Sequence, residues 1–322
     1  MKTLTMPSSA KSILSRLARK QFATPFNLAM GLILAVLIVA DVVLSRTVHL
    51  TGLSVFLEIW SGVLLLIGCL CYCILRPLPR LIESVELIIW AVLLNNVLSP
   101  LILIAGRSPR PLIDHSLCVI DGGMHFSTEF IVHLAAQAPV LRVALAFTYP
   151  VLGPLVIIAI LALPVFGHAD AARRYILGTT LAVILTSAIF ALWPAAGPWT
   201  TENIGITKEQ AGVTAYLMRL KSSVPVEVDL KDAAIVSFPS FHVALAILTA
   251  VAFGSFRRLR VWAWVLTVLI CISTITTGWH YGIDLLGGIV VAVVSIAAAG
   301  QIKERPNSGC IVEADRNPAA EG

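Results

Sequence analysis

The chain has 322 residues, of which 58% are hydrophobic and 13% are charged, and its formal net charge is +5. Soluble domains average about 45–50% apolar and about 25% charged residues, so a soluble single domain is excluded. A disordered chain and a small disulfide-framed protein are excluded as well, because aliphatic residues dominate and the six cysteines are scattered. The class that remains is a helical membrane protein.

Stretches long and apolar enough to cross a bilayer recur along the chain. A membrane-spanning helix needs about 20 mostly apolar residues. Eight segments meet this requirement, at residues 27–45, 53–75, 85–105, 143–167, 175–194, 239–255, 261–277 and 280–300. The predicted fold is therefore all-α, a polytopic membrane helix bundle with about eight transmembrane helices.

The positions of lysine and arginine predict how this bundle is oriented. Eight spans place both termini on one side, and 15 of the 23 basic residues fall on that side. Because lysine and arginine accumulate in cytoplasmic loops, we expect both termini to be cytoplasmic. The net charge is then explained by topology, so we expect no nucleic-acid partner.

A first polar motif, S-F-P-S-F-H at residues 237–242, is typical of a helix start. Proline is tolerated in a first helical turn, and the hydroxyl of Ser240 can cap the free amides there. Free amides and the positive end of the helix dipole form a natural anion site. His242 is then expected beside any phosphate bound at this helix start.

A second polar motif, H-Y-G-I-D at residues 280–284, opens the last span. Positions i and i+4 share a helix face, so the carboxylate of Asp284 can fix the tautomer of the His280 imidazole and stabilise its cation. The topology brings both motifs to the same extracytoplasmic level. We therefore predict a catalytic cluster of His242, His280 and Asp284; the alternative is that the histidines are interfacial side chains.

These two motifs, about 40 residues apart, resemble the P-S-x-H and H-x-x-x-D motifs of the type-2 phosphatidic acid phosphatase superfamily. The segment F-A-L-W-P-A-A-G-P-W at residues 190–199 is similar to the proline and tryptophan segment of its inositol-phosphorylceramide-synthase-like branch, the inositolphosphotransferases. The resemblance implies a six-helix catalytic core and a phosphohistidine mechanism that needs no metal or cofactor. In it His280 attacks phosphorus, Asp284 orients His280, and His242 protonates the leaving oxygen.

The basic residues by which phosphatase members of that superfamily grip phosphate are not at their usual places. The position six residues before His280, where those members have arginine, is Thr274, and residues 190–199 contain no lysine or arginine. A bidentate guanidinium clamp is thus missing. We expect phosphate to be held by the helix start at 239, by Ser240, and by two mobile cations, Lys221 and Lys231. A weaker clamp suits a phosphodiester and favours headgroup transfer.

The chain is expected to divide into two tails, two anchor helices and one catalytic domain. We expect a basic cytoplasmic tail at 1–26, two anchor helices within 27–75, a catalytic membrane domain at 85–300 and a second cytoplasmic tail at 301–322. The expected function is transfer of a phospho-headgroup to or from a lipid at the extracytoplasmic or luminal face. Hydrolysis of phosphatidic acid or of a polyprenyl diphosphate is the alternative enzyme activity. A catalytically silent transporter or scaffold is the alternative of another class.

The two longest loops between spans carry further patterns. A helix-like run extends from Thr207 to Ser222, and Phe126, Phe130 and Leu134 recur at helical spacing as if on an interfacial helix. A surface helix packed on the bundle explains the second pattern equally well. Two aspartates and two histidines nearby could suggest a metal site, but their spacing fits no defined ligand pattern, so no metal is expected; they are Asp114, His115, Asp121 and His125.

Overall fold

The computed structural model describes residues 24–44, 62–63, 66–71, 74, 79–222 and 235–301. Every regular element in this part of the chain is a helix, which confirms the predicted all-α class. In chain order the helices are α1 (Pro25–Leu44), α2 (Pro79–Gly106), α3 (Asp114–Gly123), α4 (Thr128–Ala136), α5 (Pro139–Val165), α6 (Ala169–Leu192), a 3-10 turn (Pro198–Thr200), α7 (Lys208–Lys221), α8 (Phe241–Phe253), α9 (Arg260–Thr276) and α10 (Gly282–Ala299).

The long apolar helices coincide with predicted spans. Within the described residues, α2, α5, α6 and α10 are long and apolar enough to cross a membrane, while α1, α8 and α9 contain shorter apolar stretches. These seven helices correspond to seven of the eight predicted spans. Most of the remaining prediction, 53–75, lies outside the described residues, as do nearly all of the two predicted tails.

Several helices begin before the apolar stretches that predicted them, whereas α8 and α10 are shorter than predicted. The fifth span was expected to begin at residue 175, whereas α6 begins at Ala169 and contains Arg173 in its second turn. The guanidinium of Arg173 pairs with Asp170 at 2.8 Å and with Glu83 of α2 at 3.6 Å. Hydropathy marks the part of a helix that fits in hydrocarbon, but backbone hydrogen bonds continue the helix into the interfacial layer.

Helix α6 lies at the centre of the bundle and packs against α2, α5, α8 and α10. Of an 18-residue apolar stretch in α6, 56% is buried inside the protein, against 17–33% of the corresponding stretches in the other three long helices. Small residues allow this close packing: Ala172 and Ala182 are fully buried, and Gly178 lies against Leu248 of α8. Helix α6 is therefore enclosed by protein over more of its surface than the other three long helices.

Polar contacts fasten the first helix to the bundle. Asn27 of α1 donates from Nδ2 to Glu86 Oε1 of α2 at 2.5 Å, and Trp90 Nε1 donates to Asn27 Oδ1 at 2.8 Å. Such interhelical hydrogen bonds stabilise membrane bundles by about 0.6 kcal/mol each on average. They fix how α1 lies against α2.

Short helices cover one end of the bundle, and we call α3, α4, the 3-10 turn and α7 the loop layer. The helix predicted from 207 to 222 is present as α7, and Thr207 and Gln210 form a capping box at its start. The predicted run from Phe126 to Leu134 overlaps α4, which Ser127 caps. Helix α3 was not predicted, because its sequence has no clear apolar face.

Candidate active site

The starts of α8 and α10 lie side by side, and each carries one predicted histidine. The imidazole centroids of His242 and His280 are 6.3 Å apart. The amide of Ser240 donates to the carbonyl oxygen of Asp284 at 3.0 Å, which joins the two helix starts directly. This approach requires glycine at position 288, because a Cβ there would overlap the Ser240 carbonyl oxygen. The two motifs are thus held together by backbone contacts.

His280 and Asp284 face each other across one turn, as the i, i+4 spacing predicts. His280 Nδ1 lies 3.2 Å from Asp284 Oδ2, and both side chains are buried. The same carboxylate oxygen accepts hydrogen bonds from the amide of Tyr281 at 2.9 Å and from Ser237 Oγ at 3.2 Å. The carboxylate therefore engages Nδ1 of His280, which leaves Nε2 as the nitrogen that carries the lone pair.

The hydroxyl of Ser240 connects the two helix starts. Ser240 is the N-cap of α8, as predicted, and its Oγ accepts from the amide of Val243 at 3.4 Å. The same hydroxyl lies 3.2 Å from His280 Nε2. The first backbone hydrogen bond within α8 runs from the amide of Ala244 to the carbonyl oxygen of Ser240. Because Ser240 Oγ caps the amide of Val243, the amides of Phe241 and His242 are the ones left for an anion at this helix start.

His242 has an aromatic partner that the sequence analysis missed. The Tyr149 hydroxyl of α5 lies 3.3 Å from His242 Nδ1, and the two rings stack with centroids 4.4 Å apart. The Trp279 ring stacks with Tyr149 at a centroid distance of 6.2 Å. The Trp199 ring packs edge-to-face against Trp279, with centroids 5.4 Å apart. A single tyrosine inside an apolar span has no motif, so only its polar hydroxyl in a predicted membrane helix could have drawn attention to it.

The start of α10 is occupied by a carboxylate from the loop layer. Asp121 of α3 accepts from the amide of Gly282 at 2.6 Å and from the amide of Ile283 at 2.9 Å. Burial raises the pKa of the Asp121 carboxyl, and the two amide hydrogen bonds act in the opposite direction. Asp121 therefore fills the anion site that a helix start creates.

A second aspartate on α3 holds the segment that follows α6. Asp114 accepts from the amides of Ala196 and Gly197, the latter at 2.7 Å, and from the hydroxyl of Tyr281 at 3.3 Å. Asp114 and Asp121 are two helical turns apart on one face of α3. That i, i+7 spacing is the signal that could have identified them as structural anchors. No group of side chains among the described residues is arranged to hold a metal ion.

The structure does not bring Lys221, one of the two predicted cationic phosphate ligands, to the histidines. Lys221 donates from Nζ to the carbonyl oxygens of Ser108 and Arg110, both at 2.8 Å, and it does not line the cavity described below. Lys231 lies outside the described residues. Thr274, at the position of the missing arginine, is buried and donates to the carbonyl of Cys271 in its own helix.

An elongated cavity of about 380 Å³ begins at the two histidines and continues into the bundle. None of the described residues that line it is lysine or arginine. Apolar side chains predominate, and the polar ones are mainly hydroxyls. The lining comes from α2, α5, α6, α8, α7 and the segments beside the histidines, and includes Leu94, Leu98, Ile102, Val156, Ile160, Ile176, Val183, Phe241 and Leu245.

Fold and site together define a polytopic membrane protein in which two histidines meet at the mouth of an apolar cavity inside a helical bundle. Residues 115–298 match the family model of the PAP2 superfamily. The chain therefore belongs to the PAP2 superfamily, which confirms the resemblance at superfamily level. Comparison with the curated proteins and with the solved structures gave no match. Membership supports a lipid-phosphatase-type enzyme that acts on phosphates.

Proposed function

We propose that the protein is an integral-membrane enzyme that transfers a phospho-headgroup to or from a lipid through a phosphohistidine intermediate. One observation carries this proposal: His280 is paired through Nδ1 with Asp284 at 3.2 Å, while His242 lies on the same cavity. A nucleophile oriented by a carboxylate, with a second proton-transfer group close by, is the arrangement that covalent phosphoryl transfer requires.

The chemistry divides one displacement into two. In the first step Nε2 of His280 forms a bond to phosphorus, the bond from phosphorus to the leaving oxygen breaks, and His242 gives that oxygen a proton. In the second step His242 takes the proton of an acceptor hydroxyl, whose oxygen attacks phosphorus and releases His280. Asp284 stabilises the positive charge on the His280 ring, and general acid catalysis by His242 contributes on the order of 10²–10⁴-fold.

The charge around the site supports transfer rather than monoester hydrolysis. Phosphate is to be met by the α8 helix start and the Ser240 hydroxyl, because no described cavity residue is lysine or arginine. Partial charges of this kind suit a diester, which has one negative charge fewer than a monoester. Lys231 stays a predicted additional ligand. From the lysine and arginine distribution, we propose cytoplasmic termini and an extracytoplasmic site.

The first experiment tests the chemistry. Purified His280→Ala and His242→Ala should insert and elute as the wild type does, yet lose turnover of phosphodiester lipids. His115→Ala, which changes an exposed histidine on α3, is the matched control and should retain turnover. Rapid quenching of the wild type should trap the phospho-headgroup on His280 through an acid-labile phosphorus–nitrogen bond. Unchanged turnover in both site variants would refute the phosphohistidine proposal.

The second experiment separates transfer from hydrolysis. Candidate phospholipids are supplied either in water alone or with an alcohol acceptor such as ceramide, and the products are identified by mass spectrometry. The proposal expects the headgroup phosphate to appear on the acceptor. Release of the phosphorylated headgroup or phosphate into water at the same rate, with no labelled acceptor, would instead assign the protein to hydrolysis.

A further inference from the structure

The cavity follows three helices over equal lengths. Its lining extends from Ala91 to Ile102 on α2, from Tyr149 to Ile160 on α5, and from Tyr175 to Thr186 on α6. Each stretch spans eleven steps of the helix, which at 1.5 Å per residue is about 17 Å. The volume, about 380 Å³, is near the lower end of ligand pockets, roughly 300–1,000 Å³. The cavity is therefore long and narrow, with room for one chain.

One end of the cavity lies at the histidines and the other lies deep in the bundle. Tyr149 contacts His242, so the first lining residue of α5 marks the histidine end. The Tyr175 hydroxyl lies 2.9 Å from Thr249 Oγ1, seven residues further along α8 than His242. Tyr175 is only 3% exposed. Tyr175 therefore marks the deep end of the cavity on α6.

Two hydroxyl groups in the middle of the cavity are satisfied by carbonyl groups of their own helices. Ser99 donates to the carbonyl of Asn95, and Thr180 donates to the carbonyl of Ile176. These groups need no polar partner from a ligand, so the middle of the cavity can accept hydrocarbon. Thr179 and Thr186 differ, because their hydroxyls are buried, line the cavity, and have no hydrogen-bond partner among the described residues. Thr179 lies one turn from Tyr175 at the deep end, whereas Thr186 lies two turns further along α6, toward the histidine end.

We propose that this cavity binds one hydrocarbon chain of the lipid substrate and that Tyr175 limits the length of that chain. Thr186, near the histidine end, bonds a hydroxyl, amide or ester group where the chain joins the phosphate-bearing part of the lipid. The inference rests on the proposed function and adds the substrate class: a lipid whose phosphate and one inserted chain are held at the same time.

Because the lipid substrate comes from a bilayer, the cavity can distinguish lipids by some properties of their chains and not by others. A chain that leaves the bilayer for the cavity exchanges one apolar environment for another, so burial of hydrocarbon itself contributes little. A chain that is too long meets the Tyr175 ring before its phosphate reaches His280, because packed interiors resist overfilling. The cavity therefore selects chain length rather than increasing affinity for every lipid.

A chain-length series tests the proposal through ratios measured within each variant. Lipids with one headgroup and short, medium or long chains are compared by kcat/KM. Ala91→Phe, which fills the deep end from α2, should lower the ratio of long to short substrates about tenfold. Tyr175→Ala should raise that ratio severalfold, and Tyr175→Phe, which keeps the ring, should leave it near the wild-type value. Ala297→Phe, on an exposed face of α10, is the matched control. Ratios unchanged in both Ala91→Phe and Tyr175→Ala would overturn the proposal.

The polar contact has its own test. Thr186→Val keeps the shape of the side chain and removes the hydroxyl, so kcat/KM should fall severalfold while the preferred chain length stays the same. The effect should be absent for lipid analogues that lack a hydroxyl, amide or ester group beside the phosphate-bearing carbon. An equal effect on those analogues would remove Thr186 from the proposed site.

A binding measurement separates this inference from the proposed function. In the catalytically inactive His280→Ala variant, a substrate lipid with a photoreactive group at its chain end should label peptides of α2 or α6 near Ala91 and Tyr175. Labelling there together with absent turnover in the wild type would refute the proposed chemistry but support the cavity. Turnover in the wild type, with labelling confined to lipid-facing surfaces, would support the proposed chemistry and refute the cavity proposal.

Discussion

The starts of α8 and α10 both present the positive end of a helix dipole, but they differ in what they bind. At the start of α10 the amides of Gly282 and Ile283 are taken by Asp121, and the amide of Tyr281 is taken by Asp284. At the start of α8 the Ser240 hydroxyl provides the cap, and His242 in the first turn lines the cavity. A helix start can therefore either fix a protein side chain or bind a substrate anion.

This difference assigns distinct tasks to the two motifs within the proposed mechanism. The start of α10 is held by two aspartates, so His280 is positioned before substrate arrives. At the start of α8 the amides of Phe241 and His242 precede the first helical hydrogen bond and lie beside the cavity, so this is the proposed place for phosphate. The start of α10 holds His280 in place and the start of α8 is open to an anion. In the proposed mechanism the two helices must therefore begin side by side.

The largest effect should come from removing the charge that orients His280. Asp284→Asn keeps the size of the side chain but loses the negative charge and can impose the wrong tautomer, so kcat should fall by about 10³–10⁴-fold. Lipid turnover and elution from a sizing column measure activity and folding together. Asp170→Asn changes an exposed carboxylate in α6 and is the control. A kcat within a few-fold of wild type would contradict the assigned role.

A smaller effect is expected when the start of α10 loses its partner from the loop layer. Asp121→Ala leaves the amides of Gly282 and Ile283 without an acceptor, and a buried unsatisfied donor costs about 1–3 kcal/mol. The unfolding temperature in detergent and kcat should both decrease. Asp121→Asn keeps one acceptor oxygen and should lie between Asp121→Ala and the wild type. Equal stability of all three proteins would show that this contact does not hold the helix.

An intermediate effect is expected when the start of α8 loses its cap, Ser240. Ser240→Ala removes the N-cap of α8, which should lower the free energy of unfolding by about 0.5–2 kcal/mol. It also removes a hydroxyl beside His280 Nε2, so KM for the phosphate-bearing lipid should rise several-fold. Ser255→Ala, in the turn after α8, is the control. Wild-type KM in Ser240→Ala would argue against phosphate at this helix start.

The smallest effect is expected at the tyrosine beside His242. Tyr149→Phe preserves the ring stack but removes the hydroxyl 3.3 Å from His242 Nδ1. A typical hydrogen bond contributes about 0.5–1.5 kcal/mol, so kcat should fall by several-fold. The pH dependence of kcat should shift on the limb that reports His242, which a purely structural role would leave in place. An unchanged pH profile would make Tyr149 a packing residue.

The sequence by itself determined the features that depend on neighbouring residues. Apolar length located seven of the helices, because crossing a bilayer requires a continuous apolar segment. The pairing of His280 with Asp284 and the cap at Ser240 were also predictable, since both contacts lie within one helical turn. These interactions are set by local backbone geometry and need no knowledge of the fold.

Only the tertiary structure decided which distant residues support the site. Asp121 and the amide of Gly282 are 161 positions apart, and Tyr149 and His242 are 93 positions apart. No periodicity links such pairs, because their contact depends on how α3 and α5 pack against α10 and α8. The cavity is likewise a product of packing, because it lies between α2, α5, α6 and α8 and no single segment determines the space between them.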